Sequence, residues 1–344
     1  MRITSVTPMK NEAPFLLEWV AYHRLIGVND IVVFTNDCSD GTDRMLERLD
    51  ELGELRHFAN PSFLIKGAKH HLTAIRYFNK LMRPSRSDWV VSFDADEFMC
   101  VNVGEGRMSD LFAAKPDANV WSLSQLNFGH GGITDYSDDL VTDQFRYCWR
   151  DGAPYHADAN RRGAKTLTHK SSEPVEWHNH SPVFHEDKLR FARVHNGSGE
   201  RLRHLDLRKD VKHLDYPYYG YGMVQLNHYA LRSIDSYLLK VSRGNANHAQ
   251  ANYGLPYWRR YDRNDQYDDK ILRWTDRIAE KRAEYLRDPE LRDLHEAAVA
   301  NAQDQIAAAK QTPEGQALMK RLTRYVTNNP GVMLDDGDHL RTAG

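Results

Sequence analysis

The stretch Trp89-Val90-Val91-Ser92-Phe93-Asp94-Ala95-Asp96-Glu97 decides the fold, because an apolar run passes directly into three acids. A short, continuous apolar run is typical of a strand that is buried on both faces. Ile3 to Thr7 and Ile31 to Phe34 have the same character, and Leu55 to Phe58 is a weaker version. Helical patterns separate these strands. The alternation predicts an α/β fold with a mainly parallel sheet and right-handed crossovers.

The helical patterns between the strands carry recognisable start and stop signals. The first begins at Pro14, whose missing N–H costs nothing in a first turn, and Gly27 ends it. Apolar residues at helical spacing predict further helices after Gly41 and over about Ala68 to Leu81. Val120 to Leu126 is predicted as another strand.

The second half of the chain has a weaker pattern and then becomes helical. Residues 129–222 are rich in Gly, His, Asp and Tyr, which indicates loops and short strands. From Ile234 onward the sequence is helical. Residues 273–325 predict two or three amphipathic helices with breaks at Pro289 and Pro313.

Composition excludes several classes of protein. The 344 residues are 41% hydrophobic and 27% charged, as in globular proteins, and the net charge of −2 gives no reason to expect a nucleic-acid partner. No apolar run approaches the length of a membrane span, and no secretory signal precedes Lys10. Three widely spaced cysteines argue for a reducing compartment, so we expect a cytoplasmic protein.

The acids after the strand at 89–93 are the strongest functional signal. Asp94 and Asp96 are two residues apart on a turn that leaves a strand, so both carboxylates can face one cation. Mg²⁺ and Mn²⁺ prefer oxygen ligands and leave room for phosphate oxygens, which predicts a metal that neutralises a departing diphosphate. The alternatives are a solvated acidic loop or caps of the next helix.

Two other polar clusters follow strands of the same predicted sheet. Lys10-Asn11-Glu12 follows the first strand, and Asn36 to Asp40 follows the second. Ligands bind beyond the carboxyl ends of parallel strands, so we expect the three clusters to converge on one rim. Asn36 and Asp37 are predicted to contact a nucleotide and Asp40 to cap a helix, although either cluster alone would also suit an ordinary polar turn.

Four stretches together resemble a known family. They are Val6 to Glu12, Phe15 to His23 with its Glu-Trp-x-x-Tyr-His pattern, Asn36 to Thr42, and Trp89 to Phe98. They are similar to the family 2-like bacterial glycosyltransferases close to family 92. The resemblance covers the first 130 residues well. It extends more weakly through Asn227-His228-Tyr229 and through Lys240 to Gly244.

The resemblance implies a GT-A fold, which is the Rossmann-like nucleotide-diphospho-sugar transferase fold, with a C-terminal helical extension. It implies a transferase domain over 1–250, with a nucleotide-binding half at 1–130 and an acceptor half at 131–250. A helical region at 251–330 and a loose tail at 331–344 would follow. The site residues that it implies are a Mn²⁺ or Mg²⁺ set of Asp94, Asp96 and His228, and donor contacts from Lys10, Asn11, Glu12, Asn36, Asp37, Lys240 and Arg243.

Residue chemistry leaves the catalytic base open. An inverting transferase needs a carboxylate or imidazole near the acceptor hydroxyl. We expect the catalytic groups to be Asp96, Glu97, His180 and Glu186, with Lys165 on the phosphate side. Other candidates are His130, Asp135, His178 and His185. The spacing of His178 and His180 without a further ligand disfavours zinc.

The sequence departs from the wider family 2 pattern in two ways that bear on function. Asn36-Asp37 stands where many members have two aspartates, and the Gln-x-x-Arg-Trp motif of processive synthases is absent. We therefore expect a metal-dependent glycosyltransferase of polysaccharide biosynthesis that does not extrude a polymer. The donor would be UDP- or GDP-linked and the acceptor a glycan or a glycolipid.

Two alternatives remain open at this stage. A sugar nucleotidyltransferase would need a Gly-rich phosphate loop, and Lys10-Asn11-Glu12-Ala13 is not one. A non-catalytic nucleotide- or carbohydrate-binding protein would have less need of the Asp94 and Asp96 pair. Peripheral membrane contact and a homo-oligomer also stay open.

Overall fold

A computed structural model describes residues 1–65, 67–82, 84–150, 161–203, 213–243 and 254–329, without the side chain of Arg243. The predicted loose tail at 331–344 lies outside the described residues, as does part of the predicted acceptor half. Within the described residues, the chain forms one large mixed sheet with helices packed on it, and a separate two-stranded ribbon.

The large sheet has the order β3-β2-β1-β4-β8-β6-β11-β5, with β9 beside β6 and β10 beside β8. The strands of both sheets are β1 (Ile3–Met9), β2 (Asp30–Thr35), β3 (Arg56–Ala59), β4 (Trp89–Ser92), β5 (Glu97–Val101), β6 (Val120–Asn127), β7 (Tyr147–Cys148), β8 (Arg161–His169), β9 (Val194–Asn196), β10 (His213–Asp215), β11 (Val224–His228) and β12 (Gln266–Tyr267).

The first four strands run parallel, as predicted. β1 pairs with both β2 and β4, so that Val6 lies beside Val32 on one side and Ser92 on the other. Because parallel strands end at the same edge, the segments after β1, β2 and β4 meet at one rim of the sheet. The α/β class and the convergence of the three polar clusters are therefore confirmed.

The main departure from the sequence-based prediction is β8. The region 129–222 was predicted to be loop-rich with short strands, yet β8 spans nine residues between β4 and β6 and is antiparallel to both. Lys165 interrupts the alternation of polar and apolar residues in Arg161–His169. A charged residue in the middle of a segment argues against a buried central strand, although this lysine is buried. The pairing partners lie far away in sequence, so no local pattern marks the strand.

The helices are α1 (Ala13–Ile26), α2 (Thr42–Glu51), α3 (His70–Leu81), α4 (Met108–Ala114), α5 (Val141–Gln144), α6 (Ile234–Arg243), α7 (Leu255–Tyr261), α8 (Thr275–Tyr285), α9 (Pro289–Gln311) and α10 (Pro313–Asn328). Gly27 ends α1 with a φ of 113°, a left-handed conformation that costs glycine little. The predicted breaks are confirmed, since Pro289 begins α9 and Pro313 begins α10.

The C-terminal helices pack against the α/β part of the molecule. Ile278 and Tyr285 of α8 and Leu291 of α9 are buried in the same apolar core as Trp19 and Val20 of α1. No helix among the described residues is long and apolar enough to cross a membrane. The cysteines at 38, 100 and 148 are all free thiols.

Candidate active site

Direct hydrogen bonds join the first two polar clusters at the rim. The Asn11 amide donates to Ser39 Oγ at 3.1 Å and accepts from the Ser39 N–H at 2.8 Å. The Asp40 carboxylate accepts from the backbone N–H of Ala13 and of Thr42, the first residues of α1 and α2. Asp40 thus satisfies amides at two helix starts, although Gly41 occupies the cap position of α2.

Asp94 follows β4, and its side chain is 39% exposed. Lys165 of β8 is fully buried and places its Nζ 2.9 Å from Asp94 Oδ1 and 2.7 Å from Asn179 Oδ1. Burial alone would raise the pKa of Asp94, but the Lys165 ammonium outweighs it and keeps that pKa below its usual value. Asp94 therefore stays ionised at neutral pH.

Glu97 lies behind Asp94, and its side chain is fully buried. Its Oε2 accepts the Asp94 N–H at 2.9 Å and lies 3.5 Å from Lys165 Nζ, and its Oε1 accepts from Gln125 Nε2 at 2.6 Å. Burial raises the pKa of Glu97. The sequence placed Glu97 among the catalytic groups, and the structure places it behind the Asp94 turn, where it accepts the Asp94 N–H.

Asp96 has its own cation on the other side of the turn. Lys240 of α6 donates to Asp96 Oδ2 at 2.9 Å, and His228 Nε2 at the end of β11 lies 3.6 Å from Asp96 Oδ1. Burial by itself would raise the pKa of Asp96, but Lys240 and His228 together hold that pKa well below its usual range. The predicted residues Asp96, His228 and Lys240 are thus brought together.

The orientation of His228 is fixed from behind. Its Nδ1 lies 2.9 Å from Asn127 Oδ1, which can only accept a hydrogen bond, so Nδ1 carries the proton. The Nε2 atom then faces the Asp96 carboxylate. No group of three or more His, Cys, Asp and Glu side chains within the described ranges is arranged to hold a metal ion.

A cavity of about 650 Å³ lies at the ends of β2 and β3. Asn36 and Asp37 line it, together with Asn60 and His70. His70 Nε2 lies 3.7 Å from Asp37 Oδ2, and Asn60 Nδ2 lies 3.5 Å from Asn36 Oδ1. The two residues predicted to contact a nucleotide therefore face an open space of suitable size.

The sequence model described as "Glycosyltransferase family 92" matches residues 2–241. The chain belongs to glycosyltransferase family 92. A family 92 protein of Arabidopsis thaliana is 31% identical over 243 residues, which is 69% of this chain and 36% of that protein. One of Oryza sativa subsp. japonica is 24% identical over 226 residues, or 65% and 32%.

The chain spans about a third of the length of these family 92 relatives. Among solved structures, S. aureus TarS 1-349 is similar with a TM-score of 0.30 and 11% identity, over 92% of this chain and 83% of that one. The parallel β3-β2-β1-β4 set with acids at the end of β4 is itself the GT-A arrangement, so the predicted fold class is confirmed.

The Glu-Trp-x-x-Tyr-His pattern of α1, which carries part of the resemblance to family 92, makes hydrogen bonds to other segments of the chain. Glu18 accepts the Val141 and Thr142 amides at the start of α5, at 2.7 and 2.9 Å. Trp19 Nε1 donates to the Asp94 carbonyl at 3.2 Å, and Tyr22 Oη donates to the Met99 carbonyl at 2.8 Å. Trp19 therefore holds the backbone of the acidic turn, while Glu18 and Tyr22 hold the start of α5 and the strand β5.

Two residues of this family 92 site carry no sequence signal that distinguishes them. Arg232 is buried and stacks 3.5 Å above the Phe15 ring. Its Nη1 lies 3.5 Å from Glu12 Oε2, so Arg232 joins the Lys10-Asn11-Glu12 cluster to the Asp96 side of the site. His71 of α3 is the other. Burial lowers its pKa, and Asp94 and Lys165 both act on it electrostatically.

Several predicted candidates lie apart from the acids. Val90 of β4 and Val120 of β6 both pair with Thr168, so Val120 lies level with Val90 across the sheet. Val90 precedes Asp94 by four residues, which is about 13 Å along the strand direction. The short helix Glu186–Phe191 packs on Val120, which puts the exposed Glu186 near the opposite end of the sheet from Asp94. His185 begins the same short helix, and Asp135 is exposed in a surface loop.

The remaining histidine and lysine candidates are placed as follows. His180 is half-buried, with Nδ1 2.9 Å from the Ala164 carbonyl beside Lys165. His178 lies 3.4 Å from Glu176, and His130 is buried 2.8 Å from Asp262. Lys10 is half-buried at the end of the first rim. The side chain of Arg243 lies outside the described residues.

Proposed function

We propose that this chain is a divalent-metal-dependent glycosyltransferase that moves a sugar from a UDP- or GDP-linked donor to a glycan or lipid-linked acceptor. One observation carries the proposal: Asp94 and Asp96 end β4 in a family 92 chain, and each carboxylate has its own lysine. The two acids thus form two carboxylate–lysine ion pairs on one turn. Such an arrangement suits a ligand that carries both negative phosphate and a cation.

The residues present fit Mn²⁺ or Mg²⁺. The Asp96 carboxylate is a ligand type that these cations prefer, and His228 Nε2 lies 3.6 Å from its Oδ1. Mg²⁺ is commonly bound through one or two carboxylates plus substrate phosphates, so a third protein ligand is not required. When bound, the metal would stabilise negative charge on the departing diphosphate.

The cations of the site have a separate task in this proposal. Lys240 and Arg232 stand on the Asp96 side, and Arg232 acts electrostatically on Asp96. A fixed cation beside a leaving group stabilises the charge that develops there without reorganisation.

The donor's nucleoside would lie beside the first two polar clusters of the rim, which follow β1 and β2. Asn36 and Asp37 line the cavity there, and Asn11 holds the Ser39 turn in place. Lys10 and Glu12 flank this path at the end of β1. Amide and carboxylate groups of this kind can hydrogen-bond a base or ribose.

The acceptor would approach on the Asp94 side. His71 is neutral at pH 7 because burial lowers its pKa, so its imidazole can accept a proton from a hydroxyl group. His180 stands on the same side through its contact with Ala164. Free cysteines at three positions favour the reducing environment of the cytoplasm, where polysaccharide precursors are assembled.

The test is a thermal-shift titration of UDP, GDP, CMP and dTDP, each with and without Mn²⁺. The proteins are the wild type, Asp96→Asn and the control Asp304→Asn, which alters an exposed carboxylate of α9. A ligand that binds only the folded state raises the melting temperature. We expect one nucleotide to stabilise the wild type and the control only with Mn²⁺, and to have no effect on Asp96→Asn.

Incubation of the wild type with the matching sugar nucleotide and Mn²⁺ should then release free nucleotide when an acceptor is present. Stabilisation without metal would contradict the metal-bridged site. No stabilisation by any nucleotide would contradict the transferase proposal and favour a non-catalytic carbohydrate-binding protein.

A further inference from the structure

Residues 55–87 have a charge balance unlike the rest of the chain. This segment contains seven lysines and arginines and no aspartate or glutamate, whereas the whole chain has a net charge of −2. The segment covers β3, the short helix Pro61–Leu64 and α3. A block of positive charge this long attracts an anionic surface.

The same segment exposes three consecutive apolar side chains. Phe63 and Leu64 are each 73% exposed and Ile65 is 54% exposed. They form the tip of a turn that is tied to α3, because Ser62 Oγ lies 2.7 Å from His70 Nδ1 and Asn60 donates to the His70 carbonyl at 3.0 Å. Large apolar side chains held outward on an anchored turn indicate a contact with an apolar phase.

The exposed side of α3 continues the basic surface. Lys69, Arg76 and Lys80 are all exposed, and spacings of seven and four residues place them within about 40° of one another around the helix. The opposite side of α3 is buried, since Ala74 and Phe78 pack under the sheet. The helix therefore presents its charged face outward.

We propose that the turn at 63–65 and the basic face of α3 bind the surface of an anionic lipid bilayer. Apolar side chains that enter the headgroup region and lysines or arginines that pair with anionic lipids are the two parts of interfacial binding. A nucleic acid would use the basic residues but would gain nothing from Leu64 and Ile65. Phe63 also borders the acid-lined cavity at the ends of β2 and β3. The proposed lipid contact therefore lies on the side of Phe63 that faces α3, away from that cavity.

This surface lies next to the candidate active site. His71, in the first turn of α3, is within electrostatic reach of Asp94 and Lys165. A chain bound through α3 would hold its cleft close to the headgroups, where a lipid-linked acceptor is found. The inference concerns binding alone and does not depend on transferase activity.

The test is flotation of the full chain with vesicles of phosphatidylcholine, alone or mixed with phosphatidylglycerol. Three variants are compared with the wild type: Leu64→Ser, the triple change Phe63→Ser with Leu64→Ser and Ile65→Ser, and the triple change Lys69→Gln with Arg76→Gln and Lys80→Gln. The matched control is Lys320→Gln with Arg321→Gln and Arg324→Gln, which removes the same charge from the exposed side of α10.

We expect the wild type and the control to float with the anionic vesicles and to be released by salt. Each basic residue near a bilayer surface contributes about a fivefold change in partitioning, so the α3 glutamine variant should bind about a hundredfold more weakly. Both serine variants should bind more weakly than the wild type. The triple variant should lose more binding than Leu64→Ser, because it removes more apolar area. Melting temperatures should match the wild type, because every altered side chain is exposed.

Three outcomes would overturn the proposal. The first is failure of the wild type to bind anionic vesicles. The second is unchanged binding by the triple serine variant, and the third is an equal loss in the α10 control. Binding of heparin that requires Lys69, Arg76 and Lys80, without vesicle binding, would assign the surface to a polyanion instead.

Discussion

His228 Nε2 lies 3.6 Å from Asp96 Oδ1 across the cleft, although 132 positions separate the two residues in the sequence. Asn127 fixes this relationship, because its amide oxygen holds the proton on the other ring nitrogen of His228. The Nε2 atom is therefore aimed at the Asp96 carboxylate. If the proposed metal binds here, the same support from Asn127 would orient the imidazole towards it.

Asn127→Ala should weaken Mn²⁺ binding without removing a ligand. The freed imidazole can rotate and change tautomer, and loss of such a supporting group commonly costs about 10- to 100-fold in metal affinity. Calorimetric titration of Mn²⁺ in the presence of the preferred nucleotide measures the effect. Asn301→Ala on α9 is the control and should bind as the wild type does. An unchanged affinity in Asn127→Ala would show that His228 is not a ligand.

Lys165→Met should strongly destabilise the fold. Lys165 and Glu97 are both fully buried, so removing the ammonium leaves the Glu97 carboxylate without its cation. Breaking a buried pair from one side costs about 3–5 kcal/mol. Urea unfolding measures this loss. Lys165→Met combined with Glu97→Gln should recover part of it, and a double variant no more stable than Lys165→Met would contradict the pairing.

His23→Leu should make stability less sensitive to acid. His23 is buried among Trp19, Phe93 and Phe98, and burial lowers its pKa to about 3. The unfolded chain takes up a proton below its ordinary pKa of about 6.5, and the folded chain does not. Wild-type stability contributed by this neutral ring is therefore complete above pH 6.5 and declines as the pH falls towards 3.

The measurement is the free energy of unfolding at a series of pH values. A single proton changes the slope by about 1.4 kcal/mol per pH unit between these limits. The slope of His23→Leu should be smaller than that of the wild type by about one proton. Equal slopes in the two proteins would mean that His23 is protonated in the folded state.

Trp19→Phe should lower activity more than stability. The indole donates to the Asp94 carbonyl at 3.2 Å, and the smaller ring keeps most of the apolar contact but loses this hydrogen bond. One hydrogen bond contributes about 1 kcal/mol to stability, whereas the Asp94 turn must hold its geometry for the proposed reaction. Rates of nucleotide release and unfolding curves, measured on the same samples, separate the two effects. A loss of stability with an unchanged rate would contradict this role.

Local sequence patterns sufficed for much of the fold. Continuous apolar runs at 31–34 and 89–93 are long-standing marks of buried parallel strands, and Pro289 and Pro313 indicate helix starts by their fixed φ. The rim could be predicted as well, because parallel strands end at one edge. Each of these signals lies within a few residues of the feature that it predicts.

The roles within the site depended on contacts between distant parts of the chain. Lys165 lies in β8, which the sequence did not predict because a lysine is unusual in a buried strand. Arg232 and His71 have no neighbouring motif that would point to the site. Glu97 and Glu186 looked alike as acids, but one is buried under Asp94 and the other is exposed at the far end of β6.

The sequence by itself therefore determined the α/β class, the order of the first elements and the two acids at the end of β4. These follow from hydrophobic period and backbone constraints, which act locally. Only the tertiary structure decided which cation faces which carboxylate, because Lys165 and Lys240 reach Asp94 and Asp96 across 71 and 144 positions. Burial and pairing set the charge state of each group, and neither can be read until the chain has folded.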